Sequence, residues 1–421
     1  MKCYYLPENW TVEKSQVYCA RVADGTHDTP KQVPEGKILV TSKNIKNGKV
    51  NFDGCYLISE NDYSQINKRS KVDKGDVLFS MIGTVGEIAF VDEEPSYAIK
   101  NIGLFKTKSF SDGKWLYYYL TSKIGQAALD TFLTGTSQQF VSLGDLRKVP
   151  VIRAPQNIQR KIAAVLSAYD DLIENNNRRI AILEKMAEEL YREWFVRLRF
   201  PGHEKVKIVK GVPEGWAVVE LNKIADEVSK STKPGTHLEN RYYLPIDLLQ
   251  QRHFNPESHL SYEEAQSSLI TFNKGDFLFG AMRPYLHKVC IAPFDGISRT
   301  TCFVIRPQKE SFYSYIYLLL FQNSTVEYAT LICNGADRPY VVWNKAFERM
   351  FVFKPEDEIV AKFNNIIRPL ITQISNTYFY LNNLKQSRDR LLTRLMSGKI
   401  DVQNLDIQFP DSMKEEAAAH A

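Results

Sequence analysis

The chain has 421 residues, of which 44% are hydrophobic and 24% charged, with a formal net charge of +5. That length supports two or three domains. No apolar run approaches the ~20 residues a membrane-spanning helix needs, and the opening "MKCYYLPENW" lacks the charged, apolar and cleavage regions of a secretion signal, so a cytoplasmic protein is expected. The mild positive charge permits a polyanionic partner without requiring one. Six cysteines are scattered without any C-x-x-C pair, which reads as reduced thiols rather than disulfides or a zinc site.

In chain order, the first element is a globular region over residues 1–155. Its short runs "KILVTS", "DVLFSMIG", "GEIAFV" and "IGLFKT" are rich in Val, Ile and Phe and bounded by Gly, Asp and Asn, the pattern of strands. "KNIKNGK" (Lys43–Lys49) and "NKRSKVDK" (Asn67–Lys74) place basic and amide side chains in loops between them. A helix is expected over Ser111–Leu129. Residues 156–198 then carry no Pro or Gly from Asn157 to Phe195. Numbered as heptads, Leu166, Ile173, Ile180, Ala187 and Trp194 take the a positions, and Ile162, Tyr169, Asn176, Leu183 and Leu190 the d positions. Nine of these ten are apolar or aromatic, a seam that lets two long helices pack side by side. A linker follows over 199–211, where "RFPGHEKVKIVKG" is punctuated by Pro, Gly and Lys.

A second globular region, 212–355, has strand signals "DFLFGAM", "KVCIAPF" and "TTCFVIRP", a basic loop "RPYLHK" (Arg283–Lys288), and a helix signal over Glu310–Leu331. Residues 356–400 repeat the seam with Phe363, Ile367, Leu370, Ile374, Thr377, Leu381, Leu384 and Leu391, Thr377 standing where Asn176 stood. These two polar residues read as register control. Residues 401–421 are a tail ending in "KEEAAAHA", expected to be disordered.

The second half repeats the first. "VDKGDVLFSMIG" matches "FNKGDFLFGAMR" 200 residues on, "LTGTSQQFVSL" matches "CNGADRPYVVW" at the same offset, and "LPENW" matches "VPEGW" at 206. Such a period is far above that of solenoid repeats, so this is a domain duplication. Between the anchors the halves differ: "DGTHDTPKQVPEGKILVTSKNIKNGKVNFDG" has no counterpart around "STKPGTHLENRYYLPIDLLQQRHFNPESHL". A kept frame with changed contents fits two domains doing one kind of job on different targets. The fold class is therefore α+β: two tandem β-rich domains, each followed by a long helix, with the helices packed as an antiparallel coiled coil.

Chemistry is sparse. The chain has no phosphate-binding G-x-x-x-x-G-K-[ST], no G-x-S-x-G elbow, no H-E-x-x-H, no adenine-methyltransferase Asn/Asp-Pro-Pro-Tyr/Phe motif and no glycine-rich cofactor loop. It reads as a binder.

Two variable β-rich domains, each trailed by a seam-forming helix, resemble the specificity (S) subunit of Type I restriction–modification enzymes. The residues carrying the resemblance are "LPENW" and "VPEGW", "KGDVLFSMIGTVGE" and "KGDFLFGAM", "IQRKIAAVLSAYDDLIENNNRRIAILEKMAEELYREWF" and "LKQSRDRLLTRLMSGKIDV". The stretch "DGTHDTPK" through "TSKNIKNGK" also resembles one variety of first recognition domain. The resemblance implies a subunit with no active site and no cofactor of its own. Each globular domain would be a target recognition domain reading half of a bipartite, asymmetric site in double-stranded DNA. The helices would set the spacer and dock two modification subunits that methylate adenine N6 with S-adenosylmethionine. Restriction subunits, using ATP and Mg, would complete the complex.

The residue types able to contact base edges and phosphates give the DNA-binding candidates. They are Lys43, Asn44, Lys46, Ser80, Thr84, Lys100, Asn101, Gln138 and Gln139 in the first domain, and Arg283, Tyr285, His287, Arg299 and Arg338 in the second. Two rival readings are a fused DNA enzyme, which the missing motifs disfavour, and a non-DNA binding scaffold of two domains on a coiled-coil stalk.

Overall fold

A computed structural model describes residues 6–133 and 139–413. The chain divides into two compact units: Met1–Ile173 together with Leu384–Ala421, and Glu174–Asn383.

The duplication is visible in matching strand orders. In the first unit Arg21–Asp24, Ile102–Lys106, Val77–Ser80 and Ile88–Phe90 lie side by side as an antiparallel sheet. In the second, Ala225–Glu227, Cys302–Pro307, Phe277–Gly280 and Val289–Ile291 repeat that order. Every residue of "VLFS" and "FLFG" is buried, so these strands are covered on both faces, which is why they read as continuous apolar runs. A two-stranded ribbon also recurs, Thr11–Lys14 with Pro150–Arg153 and Ala217–Glu220 with Phe351–Lys354. Trp115 Nε1 donates to the Ile152 carbonyl at 2.8 Å, and Tyr315 Oη donates to the Phe353 carbonyl at 2.5 Å, tying a helix to that ribbon in each unit.

The repeated "KGD" is a structural turn. Asp76 and Asp276 are 4% and 3% exposed. Each caps the backbone N–H three residues earlier, at 2.8 Å for Asp73 and 2.7 Å for Asn273. Each also meets a cation from the neighbouring strand, Lys106 at 2.9 Å and Arg306 at 2.7 Å. Gly75 and Gly275 both have φ of 91°, a left-handed conformation that side chains disfavour. Burial raises the pKa of the Asp76 carboxyl, against the lowering effect of its hydrogen bonds.

The second sheets differ. The first unit joins Tyr56–Ile58, Lys37–Thr41 and Tyr97–Lys100, the last pair parallel. The second unit joins Lys230–Thr232, Leu269–Phe272, Gly296–Arg299 and Tyr242–Tyr243, again ending in a parallel pair. The expected helix over Ser111–Leu129 is two, Phe110–Thr121 and Lys123–Asp130. Ser122 breaks it, because its hydroxyl caps the second helix by accepting from Gly125 N at 3.2 Å. The one over Glu310–Leu331 likewise splits into Tyr313–Leu320 and Asn323–Leu331 after a 3-10 turn at Glu310–Phe312.

Both long helices form, Gln156–Tyr191 (36 residues) and Asp357–Met396 (40 residues), ~54 and ~60 Å long at 1.5 Å per residue. In the first unit Ile158, Ile162, Ala163 and Leu166 share a core with Leu392, Leu395 and Met396. Asp170 Oδ1 accepts from Arg388 Nη1 at 2.9 Å and Asp170 Oδ2 from Tyr118 Oη at 2.6 Å. In the second unit Tyr191 and Trp194 lie 6.3 and 5.4 Å from Phe363, centroid to centroid. Early residues of one helix thus meet late residues of the other in each unit, an antiparallel pairing. Of the expected seam positions Ile162, Leu166, Ile173, Ile180, Phe363, Ile367, Ile374 and Leu381 are buried, whereas Tyr169, Asn176, Leu183, Leu190, Leu370, Thr377, Leu384 and Leu391 are half-buried. Ile371 and Tyr378 are buried instead. The buried stripe is wider than a heptad seam because each helix also packs on its globular domain.

The linker and the tail are both anchored. Phe200 stacks 5.0 Å from Trp216 in the second unit, and Ile208–Val209 pairs with Val212–Pro213. Val402 and Met413 are 2% and 1% exposed in the first unit's core, and Lys161 Nζ donates to the carbonyls of Gln403 and Leu405 at 2.7 and 2.8 Å. The final "KEEAAAHA" lies outside the described residues.

Candidate nucleic-acid interface

In the first unit the loop after strand Lys37–Thr41 is built around Asn44, which is 6% exposed. Its Oδ1 accepts from the Thr41 backbone N–H at 2.9 Å and from Thr41 Oγ1 at 2.8 Å, and its Nδ2 donates to the Asp53 carbonyl at 3.2 Å. Asn44 thus shapes the loop from inside, while Lys43 and Lys46 are exposed on it. Asn47 and Gly48, with φ of 53° and 80°, make the tight hairpin between Ile45–Lys46 and Lys49–Val50.

Ser42 gathers the other candidates. Its hydroxyl donates to the Asn101 carbonyl at 2.8 Å, and its own carbonyl accepts from Thr84 Oγ1 at 3.2 Å. Ser80 is fully buried, 3.4 Å from Thr84 Oγ1, so it supports the exposed Thr84. Lys100 Nζ donates to Thr29 Oγ1. A bridge between Ile82 and Phe140 brings the exposed Gln139 to the same turn; Gln138 lies outside the described residues. Lys43, Thr84, Lys100, Asn101 and Gln139 therefore share one loop cluster, and Asn44 and Ser80 hold it from beneath.

The sequence reading missed Asp24, His27 and Arg69. His27 lies 2.9 Å from Asp24 Oδ2 through Nε2 and 2.9 Å from Asn101 Oδ1 through Nδ1. Arg69 donates to the other Asp24 oxygen. Gly25 is required between them, since a Cβ there would sit 2.3 Å from the Ile99 carbonyl oxygen. The "DGTH" string was the available signal.

The second unit repeats the frame with other contents. Val341 N donates to the Ala281 carbonyl at 2.9 Å, as Val141 N does to Met81 at 3.2 Å, and Met282 bridges Tyr340 as Ile82 bridges Phe140. Ala281, Met282, Thr300, Thr301, Arg338, Tyr340 and Val341 line a hollow of about 230 Å³. Thr301 stands 200 residues after Asn101, and its hydroxyl is buried without a hydrogen-bond partner among the described residues. Arg283 and His287 have φ of 52° and 50°, left-handed values that non-glycine residues adopt at a cost. Between them Tyr285 is 53% exposed. His287 faces inward, 6% exposed, its Nε2 2.9 Å from the Phe321 carbonyl oxygen. Burial first and nearby Arg252 second push its pKa down to about 4, so it serves the loop as a neutral buried ring. Arg283, Arg299 and Arg338 are exposed.

Among the described residues no group of three or more His, Cys, Asp or Glu is arranged to hold a metal, and no helix is long and apolar enough to cross a membrane. The described cysteines are free thiols; burial pushes Cys302 up to about 11.

Residues 32–185 match the family model described as the Type I restriction modification DNA specificity domain. The chain is 26% identical over 425 residues to the Type I restriction enzyme MjaIX specificity subunit of Methanocaldococcus jannaschii, covering 95% of each. It is 23% identical to the MjaVIII specificity subunit of the same organism, over 81% of this chain and 82% of that one. The crystal structure of a Type I restriction–modification system S subunit from M. genitalium shares the fold with a TM-score of 0.58 at 16% identity, over 98% of both chains. With its duplicated frame and paired long helices, this chain is similar to Type I restriction–modification specificity subunits over nearly its whole length, and residues 32–185 match their DNA specificity domain.

Proposed function

We propose that the chain is the DNA-recognition subunit of a Type I restriction–modification complex, reading double-stranded DNA with one half-site per unit. The observation carrying this is the contrast within the duplication. The Asp76 and Asp276 turns, the Trp115 and Tyr315 ties and the four-stranded sheets recur, while the loops above them present different polar and basic side chains. A reader of two unlike half-sites needs one scaffold and two contact sets. Lys43, Lys46, Arg283, Arg299 and Arg338 suit phosphates or guanine, and Asn101 and Gln139 suit adenine. The chain supplies no catalytic group; methyl transfer and cleavage belong to two modification subunits, with S-adenosylmethionine, and to restriction subunits, with ATP and Mg, in the cytoplasm. Helices of ~54 and ~60 Å exceed the ~34–36 Å between half-sites one DNA turn apart, which suits them as the ruler for the unread spacer.

The test is a methylome. The chain is expressed with its cognate modification subunits in a methylation-free host, and N6-methyladenine is mapped. Two short blocks around a fixed spacer support the reading. If the modification subunits mark DNA with another specificity subunit but nothing with this one, the reading fails and the non-DNA scaffold replaces it.

A further inference from the structure

We propose that His27 and the buried Asp24 are positioning residues that fix the Asn101 amide as a base-reading group of the first unit. The inference rests on the DNA-recognition reading above and adds a specificity device to it.

Asn101 alone joins strand Tyr97–Lys100 to strand Ile102–Lys106, with φ of 57°. A left-handed asparagine is a common one-residue turn. What is uncommon is how many loops hold it. Its N–H donates to the Thr26 carbonyl at 3.1 Å, and its carbonyl accepts from Ser42 Oγ at 2.8 Å. Its side-chain oxygen meets His27 Nδ1 at 2.9 Å. His27 is in turn fixed through Nε2 by Asp24 Oδ2 at 2.9 Å. Asp24 is only 5% exposed in its side chain, and Arg69 engages its second oxygen. Two segments, residues 24–27 and Ser42, thus converge on one half-buried asparagine, and Arg69 from a third backs Asp24.

The consequence is chemical. An unrestrained asparagine amide rotates by half a turn and exchanges a donor for an acceptor at little cost. With Asp24 accepting from Nε2–H, the doubly protonated imidazole donates Nδ1–H to Asn101 Oδ1, and the amide then presents one orientation. Among the described residues no acceptor engages Nδ2, so both its hydrogens are available for a ligand. An outward N–H donor beside an oxygen with a spare lone pair matches a purine major-groove edge, N7 as acceptor, and adenine N6 as the matching donor. Asp24 and His27 touch no base in this arrangement. They act by denying Asn101 its alternative orientation. Arg69 prevents the buried Asp24 charge from standing alone.

The second unit has Thr301 at the corresponding place, a side chain that cannot present a bidentate amide edge. One purine position in the first half-site is therefore the expected object of the device, with no counterpart in the second.

The experiment uses the complex of the full chain with its cognate modification subunits, expressed in a methylation-free host. N6-methyladenine maps and competition against single-base variants of the recovered site are compared for the wild type, Asn101→Ala, His27→Ala and Asp24→Asn. A bidentate base contact is worth ~1–3 kcal/mol, or roughly 5–150-fold in discrimination. Asn101→Ala and His27→Ala should relax the same single position of one block by that order. The other positions, and binding to unrelated DNA, should stay as in the wild type. The double variant His27→Ala/Asn101→Ala should be no more relaxed than Asn101→Ala, which a merely structural role for His27 would not produce. Asp24→Asn should act like His27→Ala if the first unit melts normally. His27 is more than half exposed in its side chain (57%), so its replacement leaves the core intact and carries the test if Asp24→Asn does not fold. The proposal is overturned if Asn101→Ala relaxes a position that His27→Ala leaves at wild-type discrimination. It is equally overturned if neither variant relaxes any position, or if His27→Ala relaxes many positions together. A wild-type complex that marks no split site would instead sink the DNA-recognition reading itself.

Discussion

Glu184 offers the sharpest test of how the central helix holds the second unit. It lies on the helix flank with a side chain 7% exposed. Oε1 accepts from the buried Phe254 N–H at 2.7 Å, and Oε2 meets His253 Nδ1 at 3.0 Å. Replacing Glu184 by Ala leaves that backbone donor without a partner, which costs ~1–3 kcal/mol. The His253 pair is discounted to ~0.3–1 kcal/mol, because the imidazole is 46% exposed and solvent screens it. Glu184→Ala should therefore destabilise the second unit by ~1–4 kcal/mol. For a unit of 210 residues that lowers Tm by roughly 3–16 °C. Glu184→Gln keeps an acceptor for Phe254 N and should cost only ~1 kcal/mol. The His253 pKa is raised, chiefly by its hydrogen bond to Glu184. A raised histidine contributes stability below its unfolded pKa, and the contribution is lost as pH rises through the folded value. The gap between wild type and Glu184→Gln should accordingly narrow above about pH 7. Differential scanning calorimetry of the full chain, followed across pH, reads all of this. Indistinguishable melts for the Ala and Gln variants, both within about 0.5 kcal/mol of wild type, would refute the assignment of Glu184 as a buried acceptor.

The buried His287 gives a pH effect of the opposite sign. With its folded pKa near 4 against an unfolded value of 6.5, the unfolded chain binds a proton that the folded one refuses between those values, so stability falls by up to about 3 kcal/mol as pH drops through that window. His287→Asn, which tolerates the left-handed backbone, should flatten this part of the curve in a pH-resolved melt. Breaking the half-buried pair of Asp170 with Arg388 should cost ~1–2 kcal/mol in either single variant, and a double-mutant cycle should return a coupling of ~0.5–1 kcal/mol. Deleting residues 401–421 removes Val402 and Met413 from the first unit's core; at ~1.5–3 kcal/mol per buried side chain it should unfold that unit selectively, seen as loss of the corresponding calorimetric transition. Lys43→Ala and Lys46→Ala should weaken DNA binding by the complex uniformly across sequences and shallow its log-affinity against log-salt slope by ~1 each.

What was legible in the sequence follows from periodicity. The two long helices announced themselves because a stripe repeating over five heptads has no other reading, and the duplication because "KGD" must reproduce a buried carboxylate and a left-handed glycine in both copies. The helix breaks at Ser122 and Gln322 were not legible: a serine cap inside an apolar run depends on a tertiary bend that local propensity does not encode. The site was read by residue type, and type does not report direction. Asn44 and His287 are polar loop residues like Lys43 and Thr84, yet their side chains turn inward to satisfy backbone groups, and Ser80 is buried at a strand end against Thr84 Oγ1. Asp24 and His27 went unread because a positioning pair is defined by which distant residue it meets, here Asn101, 74 positions beyond His27.

The first unit is discontinuous in sequence, and this has a consequence for biosynthesis. Ribosomes deliver about 5–20 residues per second. The residues up to Ile173 thus emerge roughly 10–40 s before Leu384, while about 210 residues of the second unit intervene. During that interval Ile158, Ile162 and Leu166 lack Leu392, Leu395, Met396, Val402 and Met413, their partners in the finished core. The second unit is contiguous and has its whole chain first. The order of completion on the ribosome is therefore the reverse of the order of synthesis. The nascent N-terminal half waits with an open apolar face, a natural client for a holding chaperone until the last 38 residues arrive.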